Sequence, residues 1–92
     1  MLYFDHSATT PIHPIVLDKM NSISQNHFGN PSSIHASGRK SKSIIENARR
    51  IIAESIQASP NEIIFTGSGT EANNSVLWSL IYEKNKHVVT SS

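Results

Sequence analysis

The sequence contains no cysteine, almost no net charge, few aromatic residues and no long hydrophobic run. Without cysteine, a disulfide framework, a cysteine-ligated metal and a thiol nucleophile are excluded among these 92 residues. A net charge of +1, from 8 Lys and Arg against 7 Asp and Glu, provides no general attraction to nucleic acid or to acidic membranes. No apolar run approaches the ~18 residues of a membrane span, and Asp5 and His6 interrupt the region that a signal peptide would keep apolar. We therefore expect a soluble, cytoplasmic chain of at most one domain, with neither a nucleic-acid nor a membrane partner.

Hydrophobic periodicity predicts three amphipathic helices. Apolar residues recur at helical spacing over 14–24, 39–58 and 70–83. Residues 59–62, Ser-Pro-Asn-Glu, have the cap, proline and glutamate pattern of a single helical turn. The segment 25–38 has no usable period and contains the asparagine, proline and glycine that favour turns, so we expect a long loop there.

Two short β-favouring segments flank the third helix. Residues 63–66 (Ile-Ile-Phe-Thr) and 87–91 (His-Val-Val-Thr-Ser) are typical of strands. A strand, a helix and a strand over 63–91 predict a βαβ unit with parallel strands. Because such a unit needs further strands beside it and helices on both faces, the sequence indicates the beginning of a larger α/β domain.

A glycine-rich turn joins the first predicted strand to the third helix. Gly67 and Gly69 permit a tight turn and a close backbone approach, and the first amides of the following helix have no partner within it. Those amides also lie at the positive end of the helix dipole, where phosphate is the natural ligand. A hydroxyl from Ser68 or Thr70 would add a further donor.

Other interpretations of this turn stay open on local sequence alone. Residues 68–71 fit a capping box that needs no ligand. Residues 67–72 match the G-x-G-x-x-A dinucleotide fingerprint, but the acidic residue expected about 20 positions later is missing. The five histidines lack the i, i+4 spacing of a helical zinc site, so no metal centre is expected.

Four separated segments, taken together, resemble the signatures of one family. In order and at matching spacing, the chain resembles the cysteine desulfurases, class V aminotransferase-like enzymes that use pyridoxal 5'-phosphate. The segments are 3–11 (YFDHSATTP), 28–38 (FGNPSSIHASG), 62–74 (EIIFTGSGTEANN) and 87–92 (HVVTSS).

The resemblance implies an α/β chain that is the N-terminal portion of a fold type I pyridoxal phosphate-dependent transferase. Such an enzyme is a homodimer that converts L-cysteine to L-alanine and an enzyme-bound persulfide. The sulfur then supplies iron-sulfur clusters or thio-modification through a sulfur-acceptor protein. By the same resemblance, Gly69 and Thr70 hold the cofactor phosphate. The loops at the active-site mouth would contain Ala8, Thr9, Thr10 and Asn30.

The resemblance also implies a division of the chain and a limit on its activity. Residues 1–13 would form an N-terminal arm and active-site loop, and residues 14–92 the incomplete start of the small-domain and cofactor-domain region. The family's Schiff-base lysine and persulfide cysteine match no residue present, so we expect no catalytic residue in this chain and no activity from it alone. The alternatives are another class V aminotransferase-like enzyme such as a selenocysteine lyase, or a non-catalytic, truncated binding remnant.

Overall fold

The computed structural model describes residues 1–83 and 87–91. Ser92, the last residue of the segment 87–92 that resembles a family signature, lies outside the described residues. The three predicted helices and the predicted capped turn are confirmed, with small shifts of their ends. No helix in the described residues is long and apolar enough to cross a membrane. The helices are α1 (Pro14–Asn26), α2 (Ala36–Ser55) and α3 (Gly69–Ser79), with 3₁₀ turns at Pro60–Glu62 and Leu80–Tyr82.

Histidine side chains cap the first two helices. The His13 Nδ1 atom accepts a hydrogen bond from the Ile15 amide at 3.3 Å, and Pro14 follows in the first helical position. The His35 Nδ1 atom accepts one from the Gly38 amide at 3.1 Å. Because this cap already satisfies a free amide of the first turn, α2 begins at Ala36 rather than at the predicted residue 39.

The loop before α2 is ordered by close packing against the start of that helix. The Ser41 hydroxyl donates to the His27 carbonyl at 3.0 Å, and Ser41 is buried. A Cβ atom on Gly38 would lie 2.4 Å from the Ser33 carbonyl oxygen and 2.6 Å from that of Asn30. Only glycine permits this approach, which explains why the loop and the helix can touch through their backbones.

A Schellman motif ends α2 and turns the chain back along it. The Ala58 amide donates to the Ala53 carbonyl at 2.9 Å and the Gln57 amide to the Glu54 carbonyl at 3.2 Å, with Gln57 in the left-handed region at φ 57°. The helix therefore stops at Ser55, three residues before the predicted end. The following 3₁₀ turn is held by the Glu62 carboxylate, which accepts from the Ser59 amide at 2.7 Å.

The predicted strands are not present as strands in the part of the chain that the structure describes. Ile63 has extended backbone angles, φ −98° and ψ 123°, but no described residue belongs to a ladder, so the βαβ unit is not shown. A strand is defined by hydrogen bonds to a neighbouring strand. Residues 88–90 instead line a groove beside α3, together with Asn73, Val76 and Leu77, and so lie against the helix rather than against 63–66.

The described chain is open and has almost no core. Its radius of gyration is 17.7 Å, whereas a compact chain of this length has about 12 Å. Its accessible surface is 8405 Å², against about 5,300 Å² for a compact protein of its mass. Among the described residues, Ala53 is the one buried apolar side chain. The apolar faces of α2 and α3 are thus left largely in contact with solvent.

Candidate anion-binding site

The turn between residue 66 and α3 is held by side chains of its own sequence. Ser68 is the N-cap of α3 in extended conformation, and its Oγ atom accepts from the Glu71 amide at 3.1 Å. The Glu71 carboxylate reaches back to the Gly67 amide, with 2.7 Å between Oε2 and N. The Thr66 hydroxyl donates to the Ser68 carbonyl at 3.1 Å. These bonds hold the backbone of the turn without any ligand. The serine half of the predicted capping box is present, but the Glu71 carboxylate accepts from the Gly67 amide and not from the Ser68 amide that a capping box uses.

Among the residues that the structure describes, the amides of Gly69 and Thr70 are left without an acceptor after this capping, as is that of Ser68. Within the described residues, neither the Gly69 amide nor the Thr70 amide donates a hydrogen bond, whereas the Ala72 amide reaches the Ser68 carbonyl at 3.1 Å. Gly69 and Thr70 are both exposed. They occupy the first two positions of an 11-residue helix, where the dipole places about half a positive charge. The unbonded amides therefore include those of the two residues that the sequence predicts as phosphate-binding.

The surroundings of these amides leave room for a phosphate group. A Cβ atom on Gly69 would meet no other heavy atom within 4 Å. The Thr70 side chain adds a hydroxyl next to the two amides, and such a set of neutral donors at a helix start suits an oxyanion. Since the Glu71 carboxylate is directed at the Gly67 amide, it is engaged by the turn. The residues present therefore fit the phosphate of a cofactor such as pyridoxal phosphate.

The predicted active-site loops occupy other parts of the molecule. Thr9 and Thr10 line a cavity of about 360 Å³ together with Tyr3, His6 and Pro11, and the Ala8 amide donates to the Asp5 carbonyl at 3.1 Å. The Tyr3 and His6 rings meet edge to face, 4.9 Å between centroids.

Asn30 is used by its own turn. Its Oδ1 atom accepts from the Ser32 amide at 2.9 Å, and its carbonyl accepts from the Ser33 amide at the same distance. In residues 1–83 and 87–91 no hydrogen bond joins either loop to the turn before α3. Their predicted place at an active-site mouth, like the division at residue 13, stays a prediction.

Sequence reasoning missed one residue that contacts the segment leading into the turn. Arg49, on α2, donates through Nη1 to the Ile63 carbonyl, and its guanidinium carbon lies 4.9 Å from the centre of the Phe65 ring. The helical pattern of residues 39–58 contains no signal for this contact, because the partners lie 14 and 16 positions further along the chain. No group of three or more metal-ligating side chains lies within the described residues, and His13 and His35 act as helix caps.

Comparison with known proteins identifies the family. The family model described as aminotransferase class-V matches residues 2–92. The chain belongs to this family. The class-V match extends over the arm, the three helices and the glycine-rich turn, so the segments that resemble cysteine desulfurase signatures all fall within it.

Relatives of this class-V chain include two kinds of enzyme. It is 44% identical to the cysteine desulfurase IscS of Dictyoglomus turgidum, over 98% of this chain and 24% of the relative. It is 49% identical to an IscS-like cysteine desulfurase of Mycobacterium tuberculosis, over 80% of this chain and 19% of the relative. It is also 44% identical to a selenocysteine lyase of Bos taurus, over 87% of this chain and 18% of the relative. The chain thus spans less than a quarter of the length of these relatives. No solved structure matches the chain at a significant level.

Proposed function

We propose that this chain is the N-terminal segment of a pyridoxal phosphate-dependent cysteine desulfurase and forms the cup that holds the cofactor phosphate. The observation that carries the proposal is the pair of unbonded, exposed amides of Gly69 and Thr70 at the start of α3. The similarity to cysteine desulfurases over 98% of the chain supports the same conclusion. In this proposal the whole protein is a fold type I enzyme, in which residues 63–66 and 87–91 become parallel strands of its sheet.

The chemistry of the reaction is divided between the cofactor and the protein. When bound, pyridoxal phosphate supplies the electron sink that lets bonds at the substrate carbon break. The chain's own contribution is binding and orientation: the two amides and the Thr70 hydroxyl would hold the phosphate, so that the cofactor ring lies in a fixed position. The Ser68 and Glu71 caps keep those amides directed outward.

The remaining steps require groups that these residues do not supply. The sequence has no cysteine to carry sulfur, and its lysines at 19, 40, 42, 84 and 86 match no catalytic lysine of the family. We therefore propose that the 92 residues alone are inactive. The complete enzyme would be a cytoplasmic homodimer that takes sulfur from L-cysteine and passes it to an acceptor protein.

Substitution of Thr70 tests the phosphate site. In the complete protein, Thr70→Ala should weaken pyridoxal phosphate binding by about 1.5–3 kcal/mol, roughly 10- to 150-fold, because a hydrogen bond to a charged group is lost. Thr70→Ser keeps the hydroxyl and is the matched control, which should bind within about threefold of the unchanged protein. Dissociation constants come from absorbance titration of the apoprotein. Equal affinity in the alanine variant would refute the phosphate assignment.

A second function, selenocysteine lyase, is favoured by one observation, the 44% identity to the selenocysteine lyase of Bos taurus. The turn before α3 is on the cofactor side and contacts no substrate group, so it serves either enzyme equally. Release of sulfide from L-cysteine and of selenide from L-selenocysteine by the complete protein, measured side by side, distinguishes the two. A protein that binds no pyridoxal phosphate would support the non-catalytic binding remnant instead.

A further inference from the structure

Arg49 connects α2 to the segment that leads into the turn. Its Nη1 atom donates to the main-chain carbonyl of Ile63, and its guanidinium carbon is 4.9 Å from the centre of the Phe65 ring. On the opposite side its Nε atom pairs with the Glu46 carboxylate at 3.1 Å. The Arg49 side chain is 23% exposed, in contrast to 53% for its neighbour Arg50. One guanidinium therefore contacts a backbone atom, an aromatic ring and a carboxylate.

These contacts fix two alternate residues of one short segment. On extended backbone, residues i and i+2 face the same side, and Phe65 is accordingly less exposed (47%) than Ile64 (80%). Arg49 holds residue 63 by its carbonyl and residue 65 by its ring, and Gly67 follows only two positions later. The contacts thus limit both the position and the rotation of the backbone that enters the turn.

The other neighbours of this segment on α2 are apolar, since Phe65 lines a groove with Ile44, Ile45 and Ala48. The 3₁₀ turn at Pro60–Glu62 packs against α2 and brings the chain back over that helix. Beyond it, the backbone of 63–66 has no strand partner in the described part of the chain. Arg49 thus provides the side-chain hydrogen bond, among the described residues, that joins α2 to this segment before Gly67.

We propose that Arg49 is a positioning residue for the anion-binding turn: by holding Ile63 and Phe65 on α2, it sets where the Gly69 and Thr70 amides lie. The inference rests on the proposed function, because the ligand is the cofactor phosphate assigned there. A lysine at position 49 does not replace the arginine in this role. The planar guanidinium lies over the ring while it donates to the carbonyl, whereas an ammonium group is a compact point charge without this fixed fork of donors.

The test uses the complete protein with Arg49→Lys and, as matched control, Arg50→Lys. Among the described residues, Arg50 pairs with side chains of its own helix, Glu54 at 2.6 Å and Asn47 at 2.9 Å. Arg49→Lys should raise the dissociation constant of pyridoxal phosphate about 5- to 10-fold, on the scale of one cation–π contact with a hydrogen bond. It should also speed hydrogen exchange at the Glu71 and Ala72 amides. Arg50→Lys should change neither quantity.

Three results would overturn the inference: unchanged affinity, unchanged exchange at residues 71 and 72, or a lowered melting temperature with cofactor affinity intact. The last would indicate a structural role only. If Arg49→Lys does not fold, Phe65→Leu removes the ring and keeps an apolar side chain, and should weaken binding about 2- to 5-fold. Unchanged affinity in that variant overturns the inference as well.

Comparison with the Thr70 variant separates this inference from the proposed function. If Thr70→Ala weakens binding while Arg49→Lys does not, the proposed function stands and the positioning role is refuted. If Thr70→Ala has no effect, both fall.

Discussion

At the residue scale, the glycines of this chain serve different purposes. Gly38 lies where the loop and α2 meet, and an added Cβ would come within 2.6 Å of two carbonyl oxygens. Gly69, at the start of α3, faces open space. The first glycine is required by packing. The second leaves the helix start accessible to a ligand.

Replacing these two glycines by alanine should therefore affect the free energy of unfolding differently. Gly38→Ala forces the loop at Asn30 and Ser33 away from α2, and we expect a loss of about 1–3 kcal/mol in the free energy of unfolding. Gly69→Ala should leave that free energy within about 0.5 kcal/mol, because nothing is displaced. Denaturant titration of the complete protein measures both. A Gly38→Ala variant as stable as the parent would show that the loop is not held as described.

At the scale of the helices, the N-cap of α3 connects local structure to the site. The Ser68 hydroxyl accepts from the Glu71 amide, and the same Ser68 carbonyl accepts from the Ala72 amide. If the cap is lost, the first turn of α3 frays, and the two free amides lose their fixed direction. The stability of the cap and the affinity for an anion are thus coupled.

Two serine-to-alanine substitutions, one at the N-cap of α3 and one within the helix, test the role of the cap. Ser68→Ala should cost about 1 kcal/mol, since it removes an N-cap acceptor. Ser75→Ala is the control: its hydroxyl donates to the Glu71 carbonyl in mid-helix at 2.8 Å, and alanine is the better helix former, so stability should be equal or slightly higher. Hydrogen exchange of the first-turn amides of α3 reports the difference. Equal protection in both variants would contradict the capping role.

The helices and the turn could be predicted from the sequence because their determinants are local. Periodicity identified α1, α2 and α3, and the Ser-x-x-Glu pattern identified the capped start of α3. The caps at His13 and His35 could not be anticipated, since histidine is not a preferred N-cap residue. The role of Arg49 depends on a contact across 14 positions, which a local pattern does not contain. Residues 63–66 were expected as a strand from composition, but a strand also requires a neighbour.

At the scale of the whole molecule, the solvent-accessible surface is larger than that of a compact protein of equal mass. The excess over a compact protein of equal mass is about 3,000 Å², which is in the range of obligate interfaces. Exposed apolar side chains occur on all three α-helices; examples are Ile15 (73%), Ile51 (53%) and Val76 (63%). Such surface is normally covered by other parts of a protein or by a partner.

The 92-residue chain by itself should accordingly not behave as an independent domain. We expect it to bind a hydrophobic dye, to melt without a cooperative transition and to self-associate as its concentration rises. Small-angle scattering at low concentration should give a radius of gyration nearer to 17.7 Å than to the compact value of about 12 Å. A monomer with a sharp melting transition would instead identify a self-sufficient small domain.

The hydrogen bond between Arg49 and the Ile63 carbonyl also affects how one copy of the chain can associate with another. Residues 63–66 are four uncharged, β-favouring residues, and an unpaired segment of this kind is a place where another chain can add by backbone hydrogen bonds. A charged group placed on such an edge opposes the addition of another molecule. Arg49 occupies one carbonyl of this segment with a cation, so that this carbonyl is not free to pair with the backbone of a second copy.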